Sequence, residues 1–343
     1  ALARSPDIDL FVELMGGSEG AAREAVEAAL AAGKSVVTAN KALLAAHGMA
    51  LAKLAEDKHV ALAFEASVAG GIPIVKTLRE GLAGNQIVRV YGILNGTCNY
   101  ILSTMEDTGR DFADVLAEAQ AKGYAESDPT FDIDGIDAAH KLAILSSIAF
   151  GTAVDFKPVA ATGIRRVIAA DIAQADTLGY YIRLIGMAET ELDAAGQRRL
   201  FQRVHPMLVH RDHPLAHVDG ATNAVVAEGN FGGRLLFQGA GAGDGPTASA
   251  VVADLIDTIA RQSDEQAGGI DLRTYEKLRD DCLVDLTHAL ERNDFASGQV
   301  ARAHRARLVA AGKDSGPTIG SIRDDGRMLT IATPVQPEWI DYN

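Results

Sequence analysis

Cysteine is nearly absent from this 343-residue chain: it has only Cys98 and Cys282, and they form no metal-ligand pattern. So few thiols argue against a disulfide framework or a zinc site and fit a reducing, cytoplasmic setting. Positive charge is also short, with 32 Lys and Arg against 46 Asp and Glu and a formal net charge of −14. That balance, with no basic stripe, argues against nucleic acid as a partner. No apolar run is long and clean enough to span a membrane, and nothing resembles a signal peptide. Three phosphate- or metal-binding signatures are missing too: a G-x-G-x-x-G after the first strand, a Walker loop, and a calcium loop in register. There is no internal repeat. The chain opens at Ala1, without a methionine, and runs almost directly into ordered-looking sequence. We therefore expect a part of a longer product that enters a nucleotide-binding fold partway through.

What is present begins as alternating strand and helix. DIDLFVELMGG, an alanine-rich AAREAVEAALAAG, SVVTAN, KALLAAHGMALAKLAEDKH and VALAFEASVAGG read as strand, helix, strand, helix, strand, the pattern of a parallel α/β sheet. Ligands of such sheets collect at the carboxyl ends of the strands, which singles out Gly16, Gly17, Thr38, Asn40 and Lys41. Gly16-Gly17 also suits a plain turn, and Lys41 a solvated helix start. EASVAGGIPIVK then turns through Gly70 and Gly71 into a helix begun by Ile72-Pro73, where carbonyls could hold a monovalent cation or simply form a tight turn. In IVRVYGILNGTCNYILSTME, Asn95, Gly96 and Thr97 bring backbone N–H groups and a hydroxyl to a helix start, a cradle for a carboxylate or a capped turn.

Further on, GIRRVIAADIAQADTLGYYIRLIGMAE reads as a strand-like start, a helix and a strand, and further strands follow. His205, His210 and His213 read as surface strand histidines rather than metal ligands. GAGAGDGPT feeds an amphipathic helix and can offer N–H groups to a phosphate or nicotinamide. From Ser263 the character changes to a linker, SDEQAGG, then charged helices across residues 272–311, a loop, and RMLTIATPVQPEWIDYN as a lone strand.

The densest chemistry lies at residues 123–145, GYAESDPTFDIDGIDAAHKLAIL, with five carboxylates, a tyrosine and one lysine. Glu126, Asp128, Asp132 and Asp134 fall in a turn-rich segment broken by Pro129 and Gly135, and a largely buried helix follows. Asp137 and Lys141 are four apart on that helix and share a face. An ordinary surface ion pair is one reading. The other is a lysine held protonated by nearby acids and able to give its proton to an oxyanion.

Taken in order, ELMGG, VVTANKALLAAHG, FEASVAGGIPIVKTLREGL, GILNGTCNYILSTM, AQAKGYAESDPTFDIDGIDAAHKLAIL and GAGAGDGPTASAVVADLID resemble the homoserine dehydrogenase family across residues 5–261. The resemblance implies a Rossmann-type nucleotide-binding domain joined to an α/β substrate and dimerisation domain. It also implies NAD- or NADP-dependent reduction of L-aspartate 4-semialdehyde to L-homoserine, for threonine and methionine synthesis, by a cytoplasmic homodimer. By position, Lys141 matches the family's proton donor and Asp137 the aspartate beside it. Glu126 matches the substrate-binding glutamate; Tyr124, Thr97 and Asp132 match further pocket positions; Lys41 matches the lysine near nicotinamide and substrate. Gly16, Gly17, Gly241 and Gly243 fall where the cofactor is expected, and the backbone of Glu65, Val68, Gly70 and Ile72 matches a sodium site.

On this basis we expect residues 1–68 to form a partial NAD(P)-binding domain whose sheet has an open edge, and residues 69–225 the catalytic, substrate and dimerisation domain. Residues 226–262 would supply a glycine-rich loop and a helix returning to the nucleotide-binding domain, and 263–343 a divergent helical tail. That tail does not resemble the family's regulatory domain. Its LRDDCLVDLTHALERNDF and TPVQPEWIDYN bear a short likeness to the junction of carnitine dehydrogenase–thioesterase fusions. Two other expectations stand beside the enzyme: a non-catalytic fragment that binds cofactor poorly, and an acyl-CoA-linked fusion protein.

Overall fold

The computed structural model describes residues 2–267 and 328–332. The charged helices expected over residues 272–311, Cys282 and the fusion-like segments lie outside the described residues. Two compact units emerge, one formed by residues up to Ser67 with those from Asp244 onward, the other by Val68–Gly243.

In the first unit β1 (Ile8–Glu13), α1 (Ala21–Ala31), β2 (Ser35–Thr38), α2 (Lys41–Asp57) and β3 (Leu62–Ala63) alternate. The strands pair in parallel. Their largely apolar runs follow from burial on both faces. Phe11 and Val36 pack with Val26, Leu30, Leu43 and Leu51 from α1 and α2. Leu10, Val12 and Val37 face the other way, onto Val251, Val252, Leu255 and Ile256 of α9 (Asp244–Ala267). The sheet runs β10-β1-β2-β3, where β10 is Met328–Ala332 and lies parallel to β1 with Leu329 opposite Leu10.

Two expectations change here. The closing strand is not alone: it takes the outer edge of β1, whose unpaired N–H and C=O groups form a template for a further strand. And α9 runs through Ser263 to Ala267, because SDEQA holds no helix breaker before Gly268.

The second unit begins with α3 (Ile74–Lys76), which widens into a π turn at Thr77–Gly81. Then come β4 (Ile87–Ile93), α4 (Gly96–Thr108), α5 (Phe112–Ala121), α6 (Thr130–Ile133), α7 (Ile136–Phe150), β5 (Ala160–Ala161) and α8 (Ala169–Thr177), followed by β6 (Tyr180–Leu192), β7 (Arg198–His210), β8 (Thr222–Gly229) and β9 (Gly233–Ala240). The six strands order as β5-β7-β6-β4-β8-β9. All pairs are antiparallel except β5 with β7. One face buries Ile93, Ile185, Val209, Ala224 and Val226 against Leu215, Ala216 and Val218. Helix α7 packs on β4, β6 and β7. There Gly186 leaves room for Leu94, whose Cδ1 would lie 2.8 Å from any Cβ at that position.

Residues 164–168 form turns rather than the strand-like start expected of GIRRVI. His205 and His210 lie in β7, but His213 caps the short turn Pro214–His217, its Nδ1 accepting from the Leu215 N–H at 3.2 Å. Among the described residues no group of three His, Cys, Asp or Glu is placed to hold a metal, and no helix is long and apolar enough to cross a membrane.

Candidate active site

Helix α7 is apolar on nearly every side, so its two charged residues are buried with it: the Asp137 side chain is 3% exposed and that of Lys141 9%. The four-residue spacing brings them together, Lys141 Nζ to Asp137 Oδ2 at 2.8 Å. Asp137 also lies in the first turn, where the helix dipole favours a negative charge. A second N–H of the ammonium donates to the Leu94 carbonyl at 2.8 Å, just after β4. An ammonium has three donors. Two are thus committed, and no described residue takes the third.

Asn95 ties this pair to its surroundings. It is the N-cap of α4, its Oδ1 accepting from the Cys98 N–H at 2.8 Å. Its Nδ2 donates to both Asp137 Oδ2 at 2.8 Å and Asp132 Oδ1 at 2.7 Å. One amide therefore separates two carboxylates that would otherwise repel. Thr97 donates its hydroxyl to the Tyr124 carbonyl at 2.7 Å, and the Tyr124 ring packs on Tyr100 with centroids 4.6 Å apart. The Cys98 thiol is fully buried and donates to the Asp132 carbonyl at 3.2 Å. Burial, with Asp132 and Asp137 close by, pushes that thiol well above its ordinary range.

The remaining acids of the stretch disperse. Asp128 accepts from the Thr130 N–H, and Asp134 pairs with Arg165 on the surface. Glu126 is exposed; its carbonyl accepts from Gln120, and its carboxylate engages no described side chain.

Two glycine segments chosen from sequence meet through the backbone. The Gly70 N–H donates to the Gly241 carbonyl at 3.0 Å and the Gly71 N–H to the Ala240 carbonyl at 2.9 Å. Ala69, a non-glycine at φ 51°, marks a strained bend just before them. Gly243 takes φ 113°, in the region that favours glycine.

In the other unit β1 ends in Glu13, wholly buried. Its Oε1 accepts from the N–H groups of Met15 at 2.6 Å and Gly16 at 3.2 Å, and its Oε2 from the Thr38 hydroxyl at 2.6 Å. Asn40 adds Nδ2 to the Gly17 carbonyl at 2.8 Å and to Glu13 at 3.5 Å, while its Oδ1 caps α2 through the Leu43 N–H. Burial holds the Glu13 carboxyl above its usual range in spite of these donors. The network fixes residues 14–17, with Gly16 and Gly17 at φ 75° and 79°. A bare, left-handed backbone at the carboxyl end of a parallel strand suits the close approach of a dinucleotide. Lys41, partly buried, opens α2 beside it.

The catalytic-domain model of homoserine dehydrogenase matches residues 73–256, and that of the family's NAD-binding domain matches residues 1–65. The chain belongs to the homoserine dehydrogenase family. The homoserine dehydrogenases of Pseudomonas aeruginosa and Mycobacterium tuberculosis are each 52% identical to it, over 75% and 74% of this chain and 58% of their own. The chain thus spans somewhat over half the length of these relatives. Among solved structures, homoserine dehydrogenase from Thiobacillus denitrificans is similar with a TM-score of 0.71 at 53% identity, covering 73% of this chain and 57% of that one. A hyperthermophilic archaeal homoserine dehydrogenase in complex with NADPH is similar with a TM-score of 0.62 at 31% identity, over 77% and 73%. The fold is accordingly the family's α/β arrangement of a Rossmann-like NAD-binding domain and a catalytic domain.

Two residues in these networks lie outside the set chosen from sequence. Glu13 carried one signal, a charge at the end of the apolar run at residues 10–12. Asn95 stood out as part of a carboxylate cradle or a capped turn, and its double donation depends on α6 and α7 returning to the start of α4.

Proposed function

We propose that this chain catalyses the reversible, NAD(P)H-dependent reduction of L-aspartate 4-semialdehyde to L-homoserine. The carrying observation is the buried Lys141 ammonium, held by Asp137 and the Leu94 carbonyl with its third N–H taken by no described residue. When bound, NAD(P)H supplies a hydride to the aldehyde carbon. Lys141 then hydrogen-bonds the carbonyl oxygen and gives it a proton as negative charge develops there; the proton lost from Nζ is regained from solvent. Asp137, oriented by Asn95, keeps the ammonium paired until that transfer. Glu126, exposed and with its carboxylate free of any described side chain, takes the substrate ammonium as a charge-assisted hydrogen bond, beside Thr97, Tyr124 and Asp132. Gly16, Gly17, Lys41, Gly241 and Gly243 hold the cofactor, the first two on the loop that Glu13 shapes.

A sodium ion on the carbonyls of Glu65, Val68, Gly70 and Ile72 belongs to the same reading; the strained bend at Ala69 supports it. So does a second copy of the chain. Phe201 and Leu236, 49% and 38% exposed, share the sheet face of Tyr91 and Val226 and offer apolar surface to a partner. A cytoplasmic setting agrees with the buried, free thiol of Cys98.

The test is NADPH oxidation dependent on aspartate semialdehyde. Lys141→Ala is expected to lower turnover on the order of 10²- to 10⁴-fold, with folding checked by circular dichroism. Wild-type turnover in that variant would remove Lys141 from its role. No NADPH binding by the unmodified chain in a calorimetric titration would overturn the enzyme assignment itself.

A further inference from the structure

Asn223 lies on β8 with its side chain fully buried and a single hydrogen bond: Nδ2 donates to the Leu94 carbonyl at 3.1 Å. Its Oδ1 meets no donor among the described residues. The amide must face this way, because the carbonyl can only accept. That same carbonyl accepts from the Lys141 ammonium at 2.8 Å. On its other side Asn223 touches the glycine-rich loop: a Cβ at Gly241 would fall 2.1 Å from Asn223 Cγ and Nδ2 and 2.5 Å from Oδ1. Gly241, Asn223, the Leu94 peptide and Lys141 therefore stand in series, all within Val68–Gly243.

We infer that Asn223 is a positioning residue that transmits the placement of the glycine-rich loop to the proton donor. The inference rests on the roles proposed above for the loop and for Lys141. Physically, a buried amide held by one hydrogen bond is located mainly by what packs on it, and here that is the Gly241 backbone. Interiors are close-packed, so a shift at Gly241 moves Asn223 rather than filling a void. Asn223 in turn shares its only acceptor with the ammonium, and a displaced Leu94 carbonyl re-aims Lys141. A cofactor that settles the loop would thereby set the proton donor.

The experiment follows the side-chain ¹⁵N–¹H signal of the Lys141 ammonium in the full-length, ¹⁵N-lysine-labelled chain, identified by its absence from Lys141→Ala. Asn223→Ala and Asn223→Asp, neither of which can donate to Leu94, are each expected to move that signal without cofactor. Gly241→Ala should move it too, by pressing on Asn223, and should cease to do so in an Asn223→Ala background. Turnover in Asn223→Ala should fall on the order of 10- to 100-fold with an altered pH profile, while KM for the aldehyde is unchanged.

An unmoved Lys141 signal in both Asn223 variants would overturn the inference. So would a Gly241→Ala shift that persists after Asn223 is removed. If Gly241→Ala does not fold, the two Asn223 variants decide alone. Failure of the proposed function shows separately, as no NADPH binding or turnover in the unmodified chain, and leaves the cofactor-free signals able to judge the relay.

Discussion

Lys141 and Asp137 form an ion pair in a setting almost closed to water, and that makes the residues around them sensitive to small changes. Asn95 is the most exposed to such a test. In Asn95→Asp the capping oxygen survives, but three carboxylates then meet where one amide had donated to two. We expect that variant to lose about 1–3 kcal/mol of stability, the usual consequence of leaving buried polar groups unsatisfied, and to lose turnover more than substrate affinity. Denaturant melts and steady-state kinetics check both; a variant with unchanged stability would show that the two carboxylates need no donor.

Cys98 gives a second expectation at this scale. Its thiol is buried and pushed upward, so it should resist a thiol-specific reagent in the native chain and react on unfolding. Single-site labelling in a Cys282→Ser background reads this directly. The pair itself was legible in the sequence, since i,i+4 spacing on an apolar helix needs no tertiary knowledge. Asn223 was not: its partner Leu94 follows β4, brought near by the antiparallel pairing of β4 with β8. Glu126 was singled out by resemblance alone, and no described side chain engages its carboxylate.

At the scale of elements, α7 holds the pair in place, and what fixes α7 is a glycine far from it in sequence. Gly163 lies so close to the chain entering that helix that a Cβ there would fall 1.8 Å from the Ile133 carbonyl and 2.3 Å from Asp134 Cα. The Ile164 N–H donates to that same carbonyl at 2.8 Å. Gly163→Ala must therefore displace backbone just before Asp137, and we expect about 1–3 kcal/mol of destabilisation from overpacking together with lost turnover. Thermal melts and kinetics on the same preparation test this; full activity would mean the Ile133 turn yields freely.

Strand and helix alternation at the amino-terminal end was readable because burial on both faces leaves a simple apolar pattern. The turns around Gly163 were not, since GIRRVI carries β-favouring residues whose placement is decided by contact with α6 rather than by local preference.

Across the whole molecule, two histidines contribute to the response to acid near neutrality. His205 and His213 both titrate below the usual histidine value of 6.5, lowered first by burial and next by Arg203 and Arg234 respectively. Folding thus favours their neutral forms. Their contribution is complete above about 6.5 and is lost as pH falls through the unfolded value toward the lower folded one. We expect the melting temperature to fall as pH drops below 6.5, and His213→Gln to flatten part of that fall. His213 also donates or accepts at the Tyr91 hydroxyl, 3.2 Å away, so the variant should be compared at constant ionic strength. A slope identical to the parent's would remove His213 as a contributor.

The pairing of β10 with β1 bears on how the chain is made. Until residues 328–332 have left the ribosome, β1 lacks the parallel partner that they supply in the fold. Unpaired strand edges recruit strands from other chains. Chains without residues 328–332 should therefore associate through β1 more readily than chains that carry them, and β10 acts as a guard of that edge against sibling chains.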